Sequence, residues 1–355
     1  MVAVGLALSG FIRHPADMGV QVMNTARNAE LHVFYVLSAG DRSPIAVGDT
    51  RRRDMPLIES ARATHTTLEV ANLHNSLKFY RDVLGLRTHQ VLDKAGHLLA
   101  ANGHYAAFIE LPRRSPQPFL NFYTRLVPDA AAVDAVHRKI TAVRDEYSIQ
   151  EITAPAREDP AKFGVGTHGF YLKDADANWW RVEENNGPFG PMEIRADAEP
   201  RNSIVPAGPI SYVMLECRKL DATMRFYQEF LGLDAERRGP HYFVSRGNGG
   251  VNVIVVEVGD QLLEQTVMNH HGVTLWTDQG VIDKLHAAAE QEQERFGIRK
   301  VMKATHQHGS YSFYMEDLDS NWWEIEVWED LMNPWDRAVL ERELRAAGHK
   351  TVYRH

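Results

Sequence analysis

Glu324 lies in the aromatic run WWEIEVW (322–328), and its carboxylate is the first candidate for chemistry. A carboxylate in such a strand is either a rim residue or a buried group with a partner. The preceding stretch, YSFYMEDLDSN (311–321), alternates as an extended chain up to Glu316 and then turns on Asp317, Asp319, Ser320 and Asn321. The whole reads strand, tight turn, strand, with Trp322, Glu324 and Glu326 on one face of the second strand. A close copy, FYLKDADANWWRVEEN, occupies 170–185, and there the residue matching Glu324 is Arg181. One copy offers a carboxylate where the other offers a guanidinium.

Other reactive types are either plentiful or scarce. Most of the 17 histidines are expected on the surface or satisfied in the core. The single cysteine, Cys217, excludes an intrachain disulfide and a thiolate metal cluster, and it shares a face with Val213 and Leu215 as an inert core thiol. Gly247–Gly250 lacks the lysine of a phosphate loop and reads as a hairpin turn.

The chain that positions these residues has 355 of them, enough for two domains with their own cores. A net charge of −8 gives no global pull toward nucleic acid or an anionic membrane. The start, MVAVGLALSGFIRH, has no basic n-region or cleavage site and reads as the beginning of the fold. No apolar run has the length of a membrane span. A soluble, cytoplasmic protein is expected.

From Thr64 the pattern becomes regular. HTTLEV (65–70) alternates, and Leu77, Phe79, Tyr80, Val83 and Leu84 recur at helical spacing, opened by Asn72 or Asn75 and closed by Gly85. Short strands follow, giving β-α-β-β-β, and the unit repeats through FLNFYTRL, a helix over 129–147 and the strands leading to Glu183. Residues 186–209 have the Pro and Gly density of a linker. The programme then restarts: 210–233 aligns with 63–86 at an offset of about 147. PWDRAVLERELRAAG, near the end, reads as an amphipathic helix. Residues 1–61 are an extension without a place in either repeat.

These residues resemble the vicinal oxygen chelate superfamily, which includes glyoxalase I, bleomycin-resistance proteins and type I extradiol ring-cleaving dioxygenases. The resemblance rests on H-x-x-L-x-V-x-x-L-x-x-S-x-x-F-Y-x-x-V-L-G-L at 65–86 and on the D-x-D-x-N turns that open at Asp174 and Asp317, and it covers about 62–330. It implies an α+β fold of tandem glyoxalase-like domains, each of two βαβββ modules forming a cupped mixed sheet around a divalent metal. The expected boundaries are 1–61 (extension), 62–187 (first domain), 188–209 (linker), 210–330 (second domain) and 331–355 (helix and tail).

Carried over residue by residue, the family's ligand positions in the first domain fall on His65, Glu110, Phe119 and Arg181. That implies a remnant site without metal, retaining His65 and Glu110. In the second domain they fall on Tyr212, Glu257, Glu324 and a histidine. Strict alignment puts Gly272 at the histidine position, and one bulged residue brings His271 there, with His270 as the alternative. The extradiol signature places an acid/base histidine at His306 or His308 and a hydrogen-bonding tyrosine at Tyr314, with Glu324 ten residues after it. Trp276 and Trp322 are candidates for substrate contact. Tyr212 departs from the family pattern, which has histidine there.

The activity implied is extradiol-type cleavage of a small catechol-like aromatic by O2, with Fe(II) as metal and Mn(II), Zn or Ni as alternatives. A glyoxalase-like lyase or isomerase using Glu257, His271 and Glu324 is the second reading, and a ligand-sequestering protein the third. A homo-oligomer is expected from the family, with no nucleic-acid or membrane partner.

Overall fold

The computed structural model describes the strands Val20–Asn24 and Val33–Leu37 and residues 56–328, except 59–61, 101–103, 113–114, 116, 160–164, 195–199, 248–249, 276 and 308–309. The expected C-terminal helix and most of the N-terminal extension lie outside the described residues.

Four modules follow one another. The first runs β1 (Arg62–Val70), α1 (Leu73–Asp82), β2 (Arg87–Leu92), β3 (Ala95–Leu99) and β4 (Tyr105–Glu110). The second contains β5 (Phe122–Val127), α2 (Ala130–Ala142), β6 (His168–Lys173) and β7 (Trp179–Glu184). The third repeats the first as β8 (Ile210–Cys217), α3 (Leu220–Arg225), β9 (Asp234–Arg237), β10 (Tyr242–Arg246) and β11 (Asn252–Glu257). The fourth has β12 (His270–Leu275), α4 (Gly280–Gln291), β13 (Thr305–Gln307), β14 (Ser310–Glu316) and β15 (Trp322–Trp328). Asn72 caps α1 through the Asn75 N–H, and Leu73, Leu77, Phe79 and Tyr80 bury its inner face.

The α+β class and the four-module plan are as expected. The partners within each cup are not. One nine-stranded mixed sheet runs β14-β15-β12-β1-β4-β3-β2, joining the fourth module to the first, and the other runs β9-β10-β11-β8-β5-β7-β6, joining the third to the second. Short edge strands complete each sheet. The division into 62–187 and 210–330 therefore cuts both sheets. Repetition in the sequence reveals which modules are alike, but each first strand carries the same pairing edge and does not declare its neighbour.

The 186–209 stretch is also more than a linker. Val205 and Ile204 donate backbone N–H groups to the Val83 and Asp82 carbonyls at the end of α1. Arg125, fully buried in β5, donates to the carbonyls of Leu84, Pro206, Gly208 and Pro209. Gly85 adopts φ +65, and a side chain there would meet the Val205 carbonyl at 2.2 Å, so glycine is required. Leu57 and Ile58 dock in the same way on the end of the third module's helix.

Candidate metal centre

The centre of the first sheet places β1 between β4 and β12, with β15 beyond β12. His65 pairs with Gly272, Gly272 with Glu324, and His270 with Trp322, so side chains from three strands meet on one face. His65 Nε2 and His270 Nε2 lie 3.1 and 3.2 Å from the same Glu324 oxygen, Oε2. All three residues are buried, and their ligand-type atoms fall within 4.8 Å of one another. Gly272 makes this approach workable: a Cβ there would sit 1.8 Å from the His65 ring.

Each group is oriented by a further contact. His270 Nδ1 stands 2.7 Å from the Val267 carbonyl, which can only accept, so Nδ1 carries hydrogen and Nε2 presents a lone pair when the ring is neutral. Thr67 Oγ1 lies 3.0 Å from that Nε2. His65 Nδ1 lies 3.3 Å from Glu326 Oε1, the histidine–carboxylate pairing that fixes a ligating ring. The same Glu326 oxygen accepts from Thr274 Oγ1 at 2.7 Å and Trp328 Nε1 at 2.8 Å. Tyr105 stacks on His65 at 4.9 Å between centroids, and Tyr314 meets the His270 ring edge-on, also at 4.9 Å.

Burial alone would push the Glu324 carboxyl up, but His270 and His65 outweigh it and hold the group well below the usual range. His65 is opposed by burial in the same way, yet Glu326 and Glu324 raise its affinity for a proton. Two neutral imidazoles and one carboxylate converging on a small volume form a donor set for a divalent transition ion. The residues present fit such an ion.

The expected residues separate cleanly. Glu324 and Tyr314 are at the centre, the tyrosine hydroxyl hydrogen-bonding Glu324 while burial and that charge push its pKa up. Trp322 lies beside His270, its indole N–H donating to the Gln265 carbonyl. His270, not His271, enters the site. The only irregularity in the β1–β12 pairing falls after Gly272, so no bulge carries His271 over. It stays buried on the opposite face against Trp323, its pKa pushed down to about 3 by burial and the nearby His270.

His65 is no remnant but one of the three converging groups. Tyr212 belongs to the other sheet. Glu257 and Glu110 accept the backbone N–H of Leu220 and Leu73, respectively, so both cap helices. The His306 ring lies tilted against Tyr311, a residue whose hydroxyl binds Asp283 of α4, and His306 pairs with it on the face away from Glu324. His308 and Trp276 lie outside the described residues. Sequence reading missed Gln307 and Glu326 as parts of the site. For Glu326 a signal existed, since it shares a strand face with Glu324.

The second cup has the same registers with different chemistry. Tyr212, Phe122, Arg181 and Glu183 take the positions of His65, His270, Glu324 and Glu326. Arg181 Nε reaches Glu183 Oε2 at 2.7 Å, and Nη1 reaches Glu158 Oε1 at 2.7 Å. The Tyr212 hydroxyl donates to the same Glu183 oxygen at 3.2 Å. A tethered guanidinium neutralises the carboxylates where the first cup gathers its donor set.

Comparison with known proteins agrees with this architecture. Residues 62–203 match the model of the Glyoxalase/Bleomycin resistance protein/Dioxygenase superfamily. Glyoxalase I from Zea mays superposes with a TM-score of 0.54 at 14% identity, over 81% of this chain and 97% of that one. A "putative dioxygenase" from Bacillus subtilis subsp. subtilis str. 168 gives 0.51 at 13% identity, over 81% and 95%. At such identities the likeness is one of fold alone. No protein with a curated description matches the sequence. Among the described residues, no helix is long and apolar enough to cross a membrane.

Proposed function

We propose that the chain is a metal-dependent, ring-cleaving dioxygenase of the extradiol type, acting on a catechol-like aromatic with O2. The observation that carries this reading is the convergence of His65, His270 and Glu324, a two-histidine, one-carboxylate set of the kind that suits Fe(II) oxygenases. Bound there, Fe(II) supplies open positions for the paired substrate oxygens and for O2. The chain's own residues do the rest. His65 and His270 present Nε2 in tautomers fixed by Glu326 and the Val267 carbonyl. Tyr314, edge-on to His270, donates its one hydroxyl proton to Glu324, and turning that proton away would let it donate to a substrate oxygen beside the ligands. Tyr105 offers a flat face along the same row of the sheet.

A glyoxalase-like lyase or isomerase is the second reading. The ligand set expected for it included Glu257, which caps a helix instead. Anaerobic reconstitution with Fe(II), followed by exposure to air and a panel of catechols, tests the proposal. O2 uptake with a yellow ring-fission product is expected. Iron-loaded protein that consumes no O2 with any catechol, yet turns over a hemithioacetal, would transfer the assignment to the second reading.

A further inference from the structure

Glu324 is held so that only one of its oxygens faces the histidines. Its Oε2 lies within 3.2 Å of both His65 Nε2 and His270 Nε2. Its Oε1 accepts from Ser312 Oγ at 2.7 Å and from Gln307 Nε2 at 3.4 Å, and the Tyr314 hydroxyl is a further hydrogen-bond partner of the carboxylate. Gln307 Nε2 also donates to Ser312 Oγ at 2.7 Å, so the two donors brace each other. A carboxylate oxygen has about two lone-pair sites, and two donors engage both on Oε1.

The repeat within the chain supplies an independent comparison. Tyr314 faces Glu324 as Tyr171 faces Arg181, and Ser312 faces Glu326 as Gly169 faces Glu183. Gly169 therefore stands at the serine's position in the cup that has lost the glutamate. A Cβ there would lie 2.7 Å from the Val182 carbonyl and 2.9 Å from both Arg181 Nη2 and Glu183 Cβ, so this position has no room for a side chain beside the guanidinium. The serine accompanies the carboxylate and is absent beside the arginine.

We infer that Ser312 and Gln307 are positioning residues that restrict Glu324 to one-oxygen ligation of the metal. The inference rests on the metal reading proposed above. Its consequence concerns the number of open positions. A carboxylate free to rotate ligates through both oxygens and takes one more position, whereas a pinned one leaves it for substrate or O2. With three one-atom ligands, a six-coordinate ion keeps about three positions open.

The test is the hydration of Mn(II) bound to the whole protein, read from the broadening of its electron paramagnetic resonance in 17O-enriched water. Wild type is expected to hold about three exchangeable waters. Ser312→Gly and Ser312→Gly/Gln307→Leu should each hold one fewer, while Ser312→Thr, which keeps the hydroxyl, should restore the wild-type value. Unchanged hydration in the Gly variant overturns the inference, including the case where metal affinity alone falls, because that is what a merely structural serine would do. Wild-type protein that binds no Mn(II), Co(II) or Fe(II) overturns the metal reading and this inference with it. A Gly variant too unstable to purify is replaced by Ser312→Ala, which removes only the hydroxyl bonded to Oε1; the same loss of one water is expected, and unchanged hydration contradicts the inference.

Discussion

Glu326 touches His65 and not the space where the ligand atoms converge, so its effect must pass through the ring. Glu326→Gln keeps the shape but removes the charge that makes Nδ1 a donor. Metal affinity should fall by about 10- to 100-fold, measured by competition with a chelator, with the melting temperature little changed. Gly272 makes a second residue-scale case. Gly272→Ala forces the His65 ring aside, since the new methyl would overlap it at 1.8 Å. Loss of metal binding with an unchanged circular dichroism spectrum is the expected outcome, and a variant that still binds one equivalent would contradict it. Legibility at this scale was uneven. Glu324 stood out because its copy is Arg181. The choice between His270 and His271 depends on strand parity, which a single bulge inverts, and the residues alone do not declare bulges.

Elements explain why two carboxylates on one kind of strand have different fates. Glu110 and Glu257 end β4 and β11 beside the start of a helix, and each accepts a backbone N–H there. Glu257→Ala should cost about 1 kcal/mol of stability, as lost caps do, and leave metal content unchanged. The D-x-D-x-N turn gives a pH prediction. Asp174, buried and beside Asp176, has its pKa pushed up to about 7 although Tyr80 and backbone N–H groups bond it. It therefore holds a proton more tightly when folded than when unfolded. Its contribution to stability is full below the ordinary value of 3.8 and is lost as the pH rises toward 7. Asp174→Asn should flatten the fall in melting temperature between about pH 4 and 7, and an identical slope in both proteins would count against the burial argument. Strands, helices and turns were largely legible, because alternation, helical spacing and Gly85 carry their own chemistry.

The whole molecule is where the sequence was least informative. The internal repeat identifies four modules, yet antiparallel pairing of β1 with β12 and of β8 with β5 is a tertiary choice among equivalent edges. That choice brings His65 across 205 positions of sequence to His270 (270 − 65) and removes Tyr212 from consideration. A protein cut within 195–199 should keep its two halves associated and its metal bound, whereas either half expressed alone should bind none. The most direct test compares metal content in His65→Ala and Tyr212→Phe, both purified after loading with Fe(II) or Mn(II). The cross-module cup predicts about one equivalent in Tyr212→Phe, as in wild type, and essentially none in His65→Ala. Full occupancy in His65→Ala together with loss in Tyr212→Phe would contradict it.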